Sequence, residues 1–146
     1  MSISVRDATI ADSVQIAGLV SALGYPTSPV QMRKRLDSIL SDDNYATTVA
    51  CDGEQVVGFI GTRIGPLYES DAGYGQIMAL AVARDRQRQG IGRLLMQAAE
   101  SVLMGRDVSV LMVTSGNQRA DAHAFYESHG YTWTGRRYKK TVDARG

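Results

Sequence analysis

Cysteine is nearly absent from this chain: Cys51 stands alone among 146 residues. That excludes an intramolecular disulfide and fits a reducing compartment. Cys51 lies in an apolar stretch and reads as a small buried hydrophobe. Histidine is scarce too, with only His123 and His129, so no metal site of the zinc type is expected. No apolar run reaches the roughly 20 residues that cross a bilayer, and no signal-peptide pattern opens the chain. A cytoplasmic protein without a membrane partner is therefore expected. Charge of one sign is lacking as well. The formal net charge of +1 gives no general attraction to nucleic acid, and no nucleic-acid partner is expected. The basic cluster Arg136, Arg137, Lys139 and Lys140 reads as a solvated final strand and tail. Repeats and low-complexity segments do not occur.

What is present suits one globular domain spanning residues 1–146. Apolar content of 44% and charged content of 21% are ordinary for such a domain, and its length permits a core without metal or disulfide support. Residues 2–8 alternate as a first strand. Thr9 and Asp12 flank the start of a helix whose apolar face is Ile16, Leu19, Val20 and Leu23, ended by Gly24 and Pro26. A second helix starts with Ser28 as cap, Pro29 at the first position and Gln31 closing a capping box. Met32, Leu36, Ile39 and Leu40 form its inner face. Residues 45–51 and 55–64 read as a hairpin around Asp52-Gly53. After a loop, residues 74–83 make a fourth strand. A long helix follows, with Ile91, Leu94, Leu95, Ala98, Ala99, Val102 and Leu103 at spacings of three and four. Gly105 stops it. Residues 108–113 form a fifth strand, 120–128 a short helix closed by His129-Gly130, and 131–133 and 136–140 two last strands. Hairpins and helix crossovers both occur. The fold class is therefore α/β, with a mixed, mostly antiparallel sheet of six or seven strands flanked by four helices.

The chemistry concentrates at the fourth strand–helix junction, Gln87-Arg88-Gln89-Gly90-Ile91-Gly92. Glycines here let a backbone approach a ligand, and the first N–H groups of a helix have no internal partner and favour an anion. A nucleotide-hydrolysing P-loop needs Lys and Ser or Thr after its last glycine, whereas Gly92 is followed by Arg93 and Leu94. A dinucleotide fold needs a third glycine, where this chain has Leu95. The remaining pattern is Q/R-x-x-G-x-G/A, which Gln87, Gly90 and Gly92 match. A ligand-free glycine turn is the bland alternative.

That pattern resembles the pyrophosphate loop of the Gcn5-related N-acetyltransferases (GNAT), in their small bacterial single-domain form. The run Thr114-Ser115-Gly116-Asn117, then Arg119, Ala122, Phe125-Tyr126 and Gly130-Tyr131, is similar to the fifth-strand and fourth-helix signature of the same superfamily. The segment Leu23-Gly24-Tyr25-Pro26-Thr27-Ser28 is similar to small bacterial members, and the stretches 75–82 and 117–131 also resemble the aminoalkylphosphonate acetyltransferases. The resemblance implies an acetyl-CoA-dependent enzyme that moves an acetyl group to a primary amine of a small molecule by direct attack on the thioester. It also implies pairing as a homodimer.

Residue by residue, the resemblance places the pantetheine arm along the backbone of Leu80, Ala81 and Val82. It places the diphosphate on the N–H groups of Gln89, Gly90, Ile91, Gly92 and Arg93, with Gln87 and Arg88 beside them. Asn117 would bond the arm, with Ala122 and Phe125 lining the cofactor site. Tyr126 would be the general acid, because a phenol with reference pKa near 10 stays protonated at neutral pH. A core tyrosine at helical spacing is the bland reading of Tyr126, a loop or helix cap that of Asn117, and solvation that of Arg119. Small bacterial relatives tend to carry Glu where this chain has Gln76, which can hold a water but not take a proton. Glu69 and Asp71 are the nearest carboxylates and read as solvated loop charges. The amine then has a low pKa, or loses its proton through a water chain, or finds a base elsewhere. Tyr25, Tyr68, Met78, Thr114 and Ser115 would form the acceptor pocket. The missing carboxylate also motivates a reading of another class, a non-catalytic acyl-CoA-binding sensor or subunit.

Overall fold

The computed structural model describes residues 2–114, 120–135 and 137–143. The chain divides into two compact units, Met1–Met112 and Val113–Gly146. The candidate positions Ser115 and Asn117, with Arg119 and Arg136, lie outside the described residues.

The order is β1 (Ile3–Asp7), a 3₁₀ turn (Ile10–Asp12), α1 (Ser13–Ala22), α2 (Pro29–Leu40), β2 (Tyr45–Asp52), β3 (Gln55–Gly65), β4 (Gly73–Val82), a second 3₁₀ turn (Arg84–Arg86), α3 (Ile91–Met104), β5 (Val108–Val113) and α4 (Ala120–Ser128). Five strands form one sheet in the order β1-β2-β3-β4-β5. The first three pairings are antiparallel. Local chemistry sets these elements. Ser28 Oγ accepts from the Gln31 N–H at 3.1 Å, and Gln31 Oε1 accepts from the Ser28 N–H at 2.9 Å, so the capping box holds both ends of the first turn of α2. Gly53, with φ of +62°, supplies the left-handed backbone that the two-residue β2–β3 turn demands at its first central position.

The sheet is covered on two faces. Against one, α1 and α2 bury Ile16, Leu19, Met32 and Leu36 over Val49, Phe59 and Ala81. Leu40, expected on the inner face of α2, is 38% exposed, because it sits in the last turn where the helix leaves the sheet. Against the other face α3 buries Ile91, Leu95, Met96, Ala99 and Leu103. Gly58 lets this helix settle: a Cβ there would lie 3.0 Å from the Ala81 carbonyl oxygen, 3.1 Å from Leu95 Cδ1 and 3.3 Å from Ile91 Cγ2. Gly75 does the same under Leu103 and Leu111.

Five strands stand where six or seven were expected. Among the described residues, 131–133 and 137–140 carry no strand. The stretch offers no apolar face to bury: Trp133 and Tyr138 are 77% and 86% exposed, and the residues between are glycine, threonine and basic. In the second unit α4 closes on Gly130 (φ +89°), and the Tyr131 N–H returns to the Tyr126 carbonyl at 3.1 Å, a glycine-dependent helix stop.

Asp12 ties the first strand to the first turn. Its carboxylate accepts from both Arg6 guanidinium nitrogens at 2.9 Å and from the Thr9 N–H at 2.8 Å. The Arg6 hydrogen bonds hold the Asp12 carboxyl below its usual value, against the opposing effect of burial. A depressed acid stabilises the fold above its unfolded pKa, near 4, and that contribution is lost as pH falls through the folded value. Asp12→Ala is expected to cost about 1–2 kcal/mol at pH 7, toward the low end because Arg6 is half exposed. In urea melts at a series of pH values the gap to the unsubstituted protein narrows below about pH 4. A gap unchanged at pH 3 or below would contradict this role.

Candidate functional site

In β4 the sheet register breaks. Gly61 lies opposite Ala79, yet Thr62 lies opposite Ile77, so Met78 has no partner across β3. This is a β-bulge, a device that re-aims side chains near functional sites. Opposed residues share a face. Gly58 faces α3, and so therefore do Ile60, Thr62 and Ile64 with their partners Val82, Leu80, Ile77 and Gly75. Ala81, Ala79 and Gln76, opposite Phe59, Gly61 and Arg63, face α1 and α2. The bulge thus changes the phase of the strand between Gln76 and Ala79 and leaves Met78 49% exposed.

The far edge of β4 faces β5. The two strands meet at their starts, where the Gly73 N–H donates to the Asp107 carbonyl at 3.1 Å. They run in the same direction, linked by the α3 crossover, with Leu111 of β5 beside Gly75 of β4. The bulge and the three residues Leu80, Ala81 and Val82 follow further along β4. Leu80 and Val82 are half-buried and Ala81 is buried, so their side chains serve the core.

At the end of β4 stands the Gln87–Gly92 loop. Gln87, Arg88, Gln89, Gly90 and Arg93 are exposed, Gly92 is half-buried and Ile91 is buried. Arg88 and Gly90 both adopt left-handed backbone, with φ of +65° and +83°. Such a conformation in a non-glycine residue costs about 1–2 kcal/mol, and strain of this kind collects at ligand clamps. The residue that caps α3 is Gly90, which has no side chain to accept from the first turn. The N–H groups of Ile91, Gly92 and Arg93 therefore start a 14-residue helix with nothing from the cap to satisfy them, and two exposed arginines flank them. These residues fit a diphosphate.

Gln76 is half-buried and sits opposite Arg63. Sequence reasoning missed that neighbour. The Arg63 guanidinium lies 5.9 Å from the Tyr45 ring centre and 6.0 Å from that of Tyr74, and it donates to the Tyr74 hydroxyl. Arg63 and Tyr74 are 11 residues apart, and only strand pairing brings them together. A cation thus occupies the row where a carboxylate was sought.

The other predicted positions are spread out. Tyr25, in the loop after α1, and Tyr68, in the loop before β4, stand in solvent, at 67% and 111% exposure. In the second unit Thr114 is exposed, and Ala122, Phe125 and Tyr126 are half-buried on α4. Spacings of three and four put Ala122, Phe125 and Tyr126 on one side of that helix. The Tyr126 ring meets Phe125 edge-on at 5.5 Å and Tyr131 at 6.3 Å. A cavity of about 250 Å³ lined by Asn44, Asp71, Arg106 and Asp107 opens at the start of β4, roughly 30 Å of strand from the loop, and includes none of the predicted positions. Among the described residues no group of acidic, cysteine or histidine side chains is arranged to hold a metal, and no helix is long and apolar enough to cross a membrane.

Comparison with known proteins gives the same picture. The chain is 29% identical to a mycothiol acetyltransferase of Rhodococcus jostii (strain RHA1) over 77 residues, 52% of this chain and 25% of that protein; the match thus spans about a quarter of the curated relative. The structure overlays a GNAT family acetyltransferase of Staphylococcus aureus with a TM-score of 0.83 at 26% identity, covering 97% of this chain and 100% of the other. It overlays a transcriptional regulator of Bacillus halodurans with a TM-score of 0.89 at 24% identity and the same coverage, a likeness of fold. The acetyltransferase (GNAT) family profile matches residues 15–131. Bulged fourth strand and glycine-capped third helix are thus features of a chain that belongs to the acetyltransferase (GNAT) family.

Proposed function

We propose that this chain, with both units acting as one acetyltransferase domain over residues 1–146, transfers the acetyl group of acetyl-CoA to a primary amine of a small molecule. The observation that supports this most is the glycine-capped, anion-ready start of α3 that follows β4. The helix start takes the diphosphate, and the thioester arm pairs with the strand backbone that leads up to it.

Acetyl-CoA supplies an activated carbonyl, and the chain's residues do the rest. The backbone of Leu80, Ala81 and Val82 orients the arm, because positioning alone can supply several kcal/mol. N–H groups beside the bulge stabilise the charge that grows on the carbonyl oxygen. The amine nitrogen forms the new C–N bond as the C–S bond breaks. Tyr126 gives the departing sulfur a proton, and the amine releases one to water held at Gln76. Gln76 takes no proton itself. Arg63 answers part of that difficulty: a fixed cation beside the amine disfavours the ammonium form, so more of the acceptor binds neutral. Met78 and Thr114 remain in the acceptor pocket of this reading, with Tyr25 and Tyr68 at its outer rim and Ser115 and Asn117 carried over from the family pattern alone.

Saturating acetyl-CoA should raise the melting temperature. A hundredfold excess over Kd adds about 2.7 kcal/mol, or roughly 6–10 °C for a domain of this size. Thiol release in a screen of small primary amines should then find a turned-over acceptor. An unmoved melting temperature would refute the reading. Tight binding without turnover of any amine up to about pH 9, near the amine pKa, would favour the non-catalytic sensor that the carboxylate-free Gln76 position allows.

A further inference from the structure

We propose that the ion pair between Arg86 and Asp52 is a latch that sets the shape of the diphosphate loop, which makes both of them positioning residues for the acyl donor. The inference rests on the acetyl-CoA reading above. Beside a local bond from Gln87 Nε2 to the Val82 carbonyl at 3.4 Å, three longer-range ties hold the segment between β4 and α3 to the sheet. At its start the Ala83 N–H donates to the Val57 carbonyl at 2.8 Å. At its end Ile91 is buried against Gly58. Between them Arg86 reaches the tip of the β2–β3 hairpin. Its Nη1 donates to Asp52 Oδ2 at 2.8 Å and its Nη2 to Gln55 Oε1 at 3.3 Å.

Asp52 and Gln55 face each other across the turn, so the guanidinium fork grips both strands of the hairpin. A fork fixes orientation as well as distance. The Arg86 side chain is 19% exposed and that of Asp52 35%, so solvent screens the pair less than an open surface pair. The stretch just after Arg86 needs holding. Gln87 to Gly90 are exposed, and Arg88 and Gly90 take left-handed backbone, which is unfavourable outside glycine. A segment with no burial of its own and a strained residue keeps its shape only if its ends are fixed. Arg86 is the residue directly before it, and no sequence pattern links it to a hairpin 34 residues away.

The test compares two donors, acetyl-CoA and S-acetylpantetheine, which lacks the diphosphate. Arg86→Gln and Asp52→Asn should each raise the KM for acetyl-CoA about fivefold, the size of a partly shielded ion pair, with kcat within about twofold and the KM for S-acetylpantetheine unchanged. The double variant should be no worse than Arg86→Gln alone, since the contact that Asp52→Asn removes is one of the two that Arg86→Gln already removes. Arg86→Lys, which keeps the charge but not the fork, should fall between. If Arg86→Gln or Asp52→Asn melts too low to assay, Arg86→Lys and Asp52→Glu carry the same comparison. An equal rise of KM for both donors, no rise for acetyl-CoA, or additive effects would overturn the latch. If the unsubstituted enzyme uses both donors with one KM, the diphosphate reading of the loop itself fails.

Discussion

Tyr126→Phe is expected to lower kcat about a hundredfold while leaving the KM for acetyl-CoA within about twofold. General-acid groups contribute typically 10²–10⁴-fold. The low end applies because a thiol of pKa near 8.5 already leaves fairly well as its anion. In the proposed mechanism the phenol gives its proton only as the C–S bond breaks. Loss of an interaction confined to the transition state appears in kcat and not in ground-state binding. Phenylalanine keeps the ring and hence the edge contacts to Phe125 and Tyr131, and the Tyr131 N–H bond goes to the backbone of residue 126, so α4 keeps its closing turn. Steady-state kinetics with a turned-over amine make the measurement. An unchanged kcat would remove Tyr126 from the chemistry, and a KM rise with kcat intact would make it a binding residue.

Gly58→Val should destabilise the protein by about 2–4 kcal/mol, more than most overpacking substitutions. The added Cβ alone would press on the Ala81 carbonyl oxygen, Leu95 and Ile91. One of the three is backbone in the middle of a sheet and cannot swing aside. The helix must therefore lift at its first turn, the turn that begins the proposed diphosphate site. Stability and acetyl-CoA affinity should fall together, by urea melts and by calorimetric titration. Gly61→Ala is the control. A Cβ at that position meets nothing within 4 Å, so its effect should stay within about 1 kcal/mol and can be stabilising. Equal effects at the two glycines would show that close helix approach is not what Gly58 provides.

The difference between those glycines was illegible in the sequence. Both sit in a strand, where glycine reads as weakness, and only the arrival of α3 about thirty residues later gives one of them a purpose. Local signals fared better. The Ser28-Pro29-Gln31 box marks the start of α2 at Pro29, the Gly90 cap opens α3 at Ile91, and the Asp52-Gly53 pair marks the hairpin. Each of these is settled by residues close together in the chain.

What failed depends on partners. The bulge at Met78 belongs to the register between β3 and β4 and leaves no mark in β4 alone. The terminal strands expected at 131–133 and 136–140 needed burial that their exposed aromatics do not have. Val102 of α3 also reads as core by spacing, yet it is 45% exposed, while Met96, outside the chosen set, is fully buried. A stripe of apolar residues fixes a helix's inner face only to within about one residue's turn. In the candidate site, the Gln87–Gly92 loop was readable as the entry to α3 because its pattern is contiguous. Arg63 and the Arg86–Asp52 pair were not, because each contact joins segments far apart in the chain.

The most direct measurement tracks the backbone amides of residues 89–93 by NMR during titration with acetyl-CoA. Saturable downfield shifts of the Gly90, Ile91, Gly92 and Arg93 N–H signals are expected, and S-acetylpantetheine should not produce them. Amides that stay in place while acetyl-CoA saturates the protein elsewhere would contradict a diphosphate held at the start of α3.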